Sequence, residues 1–235
     1  TNFSLTQTKG SDKIVLSQPG GAIVDAIEVD KTQVHQSWSR HTDGATSWSI
    51  CGEPTPGDSN NGSAQYASFA ARPVMDLVAG FYTGDQLVSI SSPDPNVQIH
   101  YTVNGNEPTM NSPVFSAPIS LNKTTVVKAR AFSSDPAVLP SLIEFNTYFI
   151  NESFSLVVMS VAADDLLNLA NGNKDLKPVG SIEYFNQGQV RKARSYGALN
   201  SHGPDSWVHN QRSIDWVSRD EMGYSNALKH KLFTY

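Results

Sequence analysis

Thiols are all but missing from this chain: Cys51 is the one cysteine in 235 residues. A lone thiol cannot close an internal disulfide, so no disulfide framework holds the fold. A chain this rich in Ser, Thr and Asn with one cysteine fits a protein outside the cell, and a cytosolic one stays open. Cys51 has two readings, a nucleophile with a base near it in space or a small, partly buried residue at a strand end. Long apolar runs are missing too. No stretch approaches the ~18 apolar residues of a membrane span. The opening Thr1-Asn2-Phe3-Ser4 is already strand-like, so no signal peptide is expected. Positive charge is scarce: the formal net charge is −5, and the densest basic cluster is Arg191-Lys192-Ala193-Arg194. That is too short a stripe to neutralise a phosphate backbone, so no nucleic-acid partner is expected.

What remains is 39% hydrophobic, enough for two or three small modules. Asp12–Leu16 and Ala22–Val29 have strand character, and Pro19-Gly20-Gly21 between them is turn chemistry. Gln36–Arg40 and Thr46–Ile50 flank a second turn at Asp43-Gly44. Trp38 and Trp48 lie five residues to either side of Asp43. They fit a carbohydrate-stacking platform or ordinary sandwich core. Glu53-Pro54-Thr55-Pro56-Gly57 cannot continue a strand, because proline lacks the donor and fixes φ. The small, polar, weakly patterned 60–71 stretch reads as an unpacked connection.

From Arg72 to Ile150, strands recur at short intervals with Pro, Gly and Asn punctuation, the pattern of a β-sandwich. Tyr101–Thr109 predicts two strands joined by a tight Asn104-Gly105 turn. Val97–Val103 alternates, which places Val97, Ile99, Tyr101 and Val103 on one face and Gln98, His100 and Thr102 on the other. His100 and Glu107 are expected on solvated faces. Beyond Asn151 the pattern changes. The near-continuous apolar run Phe154–Val161 predicts a strand buried on both faces. Ala163–Leu169 has helical spacing with Asp164 in the first turn. Val179–Phe185 and Gln189–Ala193 flank a hairpin turn at Asn186-Gln187-Gly188. Asn226–Phe233 suggests a short helix.

Three resemblances follow from these residues. Phe3-Ser4-Leu5, Asp12–Ser17, Ser39-Arg40, Asp43-Gly44, Trp48 and Pro54-Thr55-Pro56-Gly57 resemble the second half of a lamin-tail-type Ig-like domain. The first strands of that family have no counterpart here, which implies a slice of a longer protein or a partner that supplies those strands. Gly80-Phe81-Tyr82, Ile99–Thr109, Ser112–Phe115, Val127–Phe132 and Thr147-Tyr148 resemble the chitobiase C-terminal type of fibronectin-III-like domain, whose members are usually spacers or accessory modules. Ser155–Val158, Gly180–Phe185, His202-Gly203 and Gln211-Arg212-Ser213 resemble the opening of a CotH-type kinase-like domain, which transfers phosphate from ATP. That family carries a Lys-Ser pair where Arg212-Ser213 stands. Arginine keeps the charge but differs in reach and hydration. The family's metal-binding carboxylates have no counterpart before Tyr235.

The expected fold is therefore mainly β: two consecutive Ig-like/fibronectin-III-like β-sandwiches, then an incomplete α+β segment. The expected units are 1–60, a linker at 61–71, 72–150 and 151–235. No catalytic or metal-binding residue is assigned. The candidate ligand-binding residues are His202, Asp205, Arg212, Arg219, Asp220 and Glu221, read either as a polar network bracing a long loop or as one wall of a nucleotide or substrate pocket. The expected function is a non-catalytic piece of a large secreted or cell-surface bacterial protein, serving as spacer, adhesion or assembly modules. Its partners would be neighbouring domains of the same parent and a secretion or surface-assembly protein. The alternatives are a part of a CotH-type kinase, with ATP and a divalent cation used only by the completed domain, and a carbohydrate-binding module.

Overall fold

A computed structural model describes residues 12–28, 32–203, 208, 212–218, 222, 228 and 230–231. Among these the chain is mainly β, with one short helix. Strands β1 (Lys13–Ser17) and β2 (Ile23–Glu28) form a two-stranded sheet around the Pro-Gly-Gly turn. β3 (Ser37–Arg40), β4 (Trp48–Cys51) and β5 (Gln65–Tyr66) form a second sheet, with the Asp43-Gly44 turn between β3 and β4. Cys51 is fully buried at the end of β4, and its thiol donates to the Glu53 carbonyl at 2.8 Å. The 61–71 stretch is more than a connection. It supplies β5, which extends the β3–β4 sheet, and β6 (Ser68–Phe69). β6 pairs in parallel with a strand seventy residues further on, so polar composition there conceals real backbone pairing.

The central unit runs through β7 (Val74–Met75), β8 (Gly80–Tyr82), β9 (Gln86–Val88), β10 (Ile90–Ser91), β11 (Val97–Thr102), β12 (Ile119–Leu121), β13 (Thr125–Ser133), β14 (Val138–Leu139) and β15 (Glu144–Ile150). One sheet has the order β11-β13-β15-β8, and the short pairs β7–β10 and β9–β12 lie over it. Met75, Val88, Ile90, Ile119, Leu121, Val127, Ala129, Tyr148 and Ile150 fill the space between. The expected two-residue hairpin at Asn104-Gly105 does not form. β11 pairs with β13 instead, and the chain returns to β11 only at Pro113–Phe115, through the bonds Tyr101 N–H to Pro113 O and Phe115 N–H to Ile99 O. Gly105 has φ +85°, and a Cβ there would lie 3.0 Å from the Ala162 Cβ, so the glycine lets this loop approach the next unit. His100 is buried rather than solvated. Its Nδ1 meets the Ser112 carbonyl at 2.8 Å and its ring stands edge-on to Phe132.

The last unit has β16 (Val158–Ala163), α1 (Leu166–Ala170), β17 (Val179–Phe185), β18 (Arg191–Ser201) and β19 (Ile214–Ser218), the strands forming one antiparallel sheet in sequence order. The apolar run that opens it is not buried on both faces. β16 is an edge strand, and Phe154, Leu156, Val157 and Met159 are exposed. The helix begins after Asp165, whose φ of +55° breaks the helical geometry, so Asp164 lies outside the first turn. It accepts the Glu107 N–H instead, at 2.7 Å. α1 buries Leu169 against Ala163 and Leu199, with Trp216 alongside. Gly180 and Gly197 are cross-strand partners. A Cβ would fall 2.2 Å from the Ala162 carbonyl at the first and 2.3 Å from the Val217 carbonyl at the second. No larger residue fits the sheet at that row.

Candidate functional site

Two of the six sequence-derived candidates are described. His202 follows β18, and its backbone N–H bonds to the Ser213 carbonyl, which brings it beside Arg212-Ser213. Its Nδ1 lies 2.7 Å from Asp215 Oδ1, with both side chains largely exposed. Arg212 donates through Nη1 to the Ala170 carbonyl at the end of α1, where the helix leaves acceptors open. Asp205, Arg219, Asp220 and Glu221 lie outside the described residues, as does most of the Asn226–Phe233 segment.

The densest polar chemistry sits elsewhere, between the β11-β13-β15-β8 sheet and the β16–β19 sheet. Alternation along β15 sends Tyr148 and Ile150 into the sandwich core and Phe145, Thr147 and Phe149 towards β16–β18. Thr147 donates to Glu183 and shares a 2.7 Å hydrogen bond with Ser160. Arg191 Nη1 reaches Glu183 Oε1 and Asn146 Oδ1, both at 2.6 Å. Arg194 pairs with Glu144. Phe149 stacks on Phe81 at 4.3 Å and meets Phe185 edge-on at 5.3 Å. Burial pushes the Glu183 carboxyl up, and the Arg191 charge works against that rise.

Lys128, on the same face of β13, is fully buried. Its Nζ donates to the Ala162 carbonyl at 2.9 Å and lies 3.5 Å from the Tyr196 hydroxyl. Burial brings its pKa down to about 8, although Glu107, Asp164 and Glu183 pull the other way. Tyr196 in turn donates to Glu107 Oε1 at 2.8 Å, so Glu107 is part of the junction rather than a solvated turn residue. Arg130 donates to the Ser141 carbonyl and to Gln33 Oε1, tying the first unit to the central one. A cavity of about 300 Å3 opens here, lined by His35, Glu107, Arg130, Leu142, Val179 and Tyr196 among others. Its charges are of both signs, and both are hydrogen-bonded: Glu107 accepts from Tyr196, and Arg130 donates to Ser141 and Gln33. Chemically this arrangement is a buried polar seal between two sheets. Among the described residues, no cluster of three or more His, Cys, Asp or Glu side chains has the geometry to hold a metal ion.

A second concavity, of about 370 Å3, lies in the first unit between β3, the Asp43-Gly44 turn and the 54–60 loop, and both Trp38 and Trp48 line it. Both tryptophans are half-buried. The β3–β4 register pairs Arg40 with Trp48 and Trp38 with Ile50, so the two indoles are diagonal neighbours on one sheet face.

A family profile for the chitobiase/beta-hexosaminidase C-terminal domain matches residues 77–138. The matched segment runs from just before β8 into β14, most of the central sandwich. No curated protein and no solved structure matches the chain.

Sequence reasoning passed over the junction residues Lys128, Glu144, Glu183, Arg191, Arg194 and Tyr196. A signal was present: acids in two strands, Glu144 and Glu183, each between apolar or aromatic neighbours, and bases in a third, Arg191 and Arg194. Charges inside strands of that kind find partners across a sheet interface or do not fold.

Proposed function

We propose that this chain is a non-catalytic segment of a larger secreted or cell-surface bacterial protein, with its β modules acting as spacers and assembly surfaces. The observation that carries the reading is the junction itself. Lys128, Glu144, Glu183, Arg191 and Arg194 are engaged in joining two sheets, which is the chemistry of a stiff connector. The 77–138 match supports an accessory β-sandwich role for the central unit. Residues 1–60 are in this reading the end of a lamin-tail-like Ig sandwich, 61–71 the passage to the 72–150 sandwich, and 151–235 the start of a CotH-like domain, on the motifs given above. Its partners are neighbouring domains of the same parent and a secretion or surface-assembly protein. Exposed Ile14, Leu16, Ile23 and Val24 on the isolated β1–β2 hairpin support such contacts, because a two-stranded sheet is marginal in water without cover.

A kinase reading of the completed parent assigns ATP and a divalent cation to the finished domain, with His202, Asp205, Arg212, Arg219, Asp220 and Glu221 along one wall. A phosphotransfer assay with labelled ATP and Mg2+ or Mn2+, run on this chain and on the full-length parent, separates the two readings. This chain, folded, is expected to transfer no label. Transfer by this chain that is lost in Arg212→Ala, with far-UV circular dichroism unchanged, overturns the scaffold reading.

A further inference from the structure

The tryptophan cleft lies far in sequence from the junction, and its walls are braced by bonds of their own. Arg40 stacks over the Trp48 ring at 4.6 Å and donates to Asp25 at 2.6 Å, which fixes the indole plane. The turn and the loop that face each other across the cleft are tied together. The Asp43 N–H donates to Asn61 Oδ1 at 2.9 Å, and the Asn60 N–H donates to Asp43 Oδ1 at 3.1 Å. Thr55 Oγ1 donates to Asn60 Oδ1 at 2.6 Å. The cleft is thus held open before any ligand arrives, which lowers the ordering cost of binding.

Its chemistry is mixed in a specific way. Two indoles provide flat apolar surface. The Trp38 indole N–H is buried, away from the cleft surface, so Trp38 lines the cleft with ring carbon rather than with a donor. Asp43 is an ionised acceptor, held below the usual carboxylate range first by the Ser59 hydroxyl and then by the Asn60 N–H. Asn60 brings an amide with two donor hydrogens, and Arg40 brings a guanidinium. Acceptors and donors are therefore both present beside an apolar floor. A ligand that suits them donates and accepts from adjacent atoms and has an apolar face, which describes a hydroxylated ring. A polyproline peptide offers carbonyl acceptors and no donors for the free lone pairs of Asp43. Arg40 is already matched by Asp25, so Asp43 leaves the cleft negative and sets it against an acidic sugar.

We propose that this cleft is a binding site for a neutral saccharide, with Trp38 and Trp48 against the sugar ring and Asp43, Asn60 and Arg40 serving its hydroxyls. The site goes beyond the scaffold reading and stands independently of it.

The test uses the full chain labelled with 15N. The Trp38 indole resonance is identified by its loss in Trp38→Phe, a variant that keeps an aromatic ring in the sheet. Cellotetraose, chitotetraose, xylotetraose and a decaproline peptide are titrated separately to ~10 mM, the range of weak specific binding. At least one tetrasaccharide is expected to shift the Trp38 signal in a saturable way. Trp38→Phe, followed by the Trp48 indole resonance, and Asp43→Asn, each with the backbone spectrum otherwise preserved, are expected to weaken that saccharide about tenfold, the size of one lost buried contact. Three silent saccharides overturn the proposal, as does a shift produced by decaproline alone, or full affinity in both variants. Failure here leaves the phosphotransfer outcome untouched, so the two readings fall separately.

Discussion

β15, EFNTYFI, and the approach to β16, FSLVVMSV, are neighbours in the chain and opposites in outcome. The first mixes three polar residues with four aromatic or aliphatic ones, yet all seven are buried. The second is almost wholly apolar, yet Phe154, Leu156, Val157 and Met159 are exposed. The difference lies in position within the sheets. β15 is an inner strand with a hydrophobic core on one face and a polar sheet junction on the other, so its Glu, Asn and Thr side chains are buried with partners. β16 is an edge strand, and the residues leading into it run past the sheet. Hydrophobicity predicts which residues can be buried, while the layer order determines which ones are.

The sharpest way to break this comparison is to unpair the junction. Arg191→Ala strands the Glu183 carboxylate in a buried site and is expected to cost about 3–5 kcal/mol in urea unfolding. The loss should shrink on acidification, because a protonated Glu183 no longer needs a cation. The double change Glu183→Leu with Arg191→Leu should cost less than Arg191→Ala alone. A single-variant cost near zero means that β15 is not held as described.

Next in size is Gly180→Ala. Its methyl group would meet the Ala162 carbonyl 2.2 Å away, so a loss of about 1–3 kcal/mol or more is expected in the same assay. The corresponding change at Gly188, in the open hairpin turn, serves as the control.

Lys128 gives a subtler signature. Its folded pKa of about 8 lies below the ordinary 10.5, so between these values the unfolded chain binds the extra proton. Stability from this group is therefore fully present above about 10.5 and is lost as pH falls through about 8. Glu183 has the opposite sign: its folded pKa is raised, so its contribution is complete below 4.5 and is lost as pH rises through the folded value. Lys128→Met should flatten the alkaline rise in melting temperature and leave the acid side unchanged.

The smallest effect belongs to the exposed run. Leu156→Ser should change stability by no more than about 0.5 kcal/mol. A loss of several times that size shows that the run is covered, and the contrast with β15 then disappears.

Much of the central sandwich was legible. The strands at Gly80, Val97, Ile119, Thr125 and Glu144 carry β-branched and aromatic residues between turn residues, and local pattern alone places them. Partners were less legible. Asn104-Gly105 is a strong hairpin signal, but pairing β11 with β13 lets Val127 and Ala129 join the core, and that non-local gain outweighs the turn. His100 was assigned to the polar side by alternation. Its face is polar, and the returning 112–115 segment and Phe132 cover it. Of the candidate binding residues, His202 and Arg212 come together at the end of β18 because the register with β19 puts them there. No spacing rule contains that register.

Composition and alternation by themselves determined that this is a β protein without disulfides, punctuated by Pro and Gly turns, with two tryptophans around a hairpin. Those properties depend on near neighbours in the chain, where sterics and side-chain period act directly. Tertiary structure alone decided that Glu144 meets Arg194 and that Lys128 is buried beneath Tyr196. Each of these depends on which sheet faces which, a choice made by summed burial and charge pairing across residues far apart in the sequence.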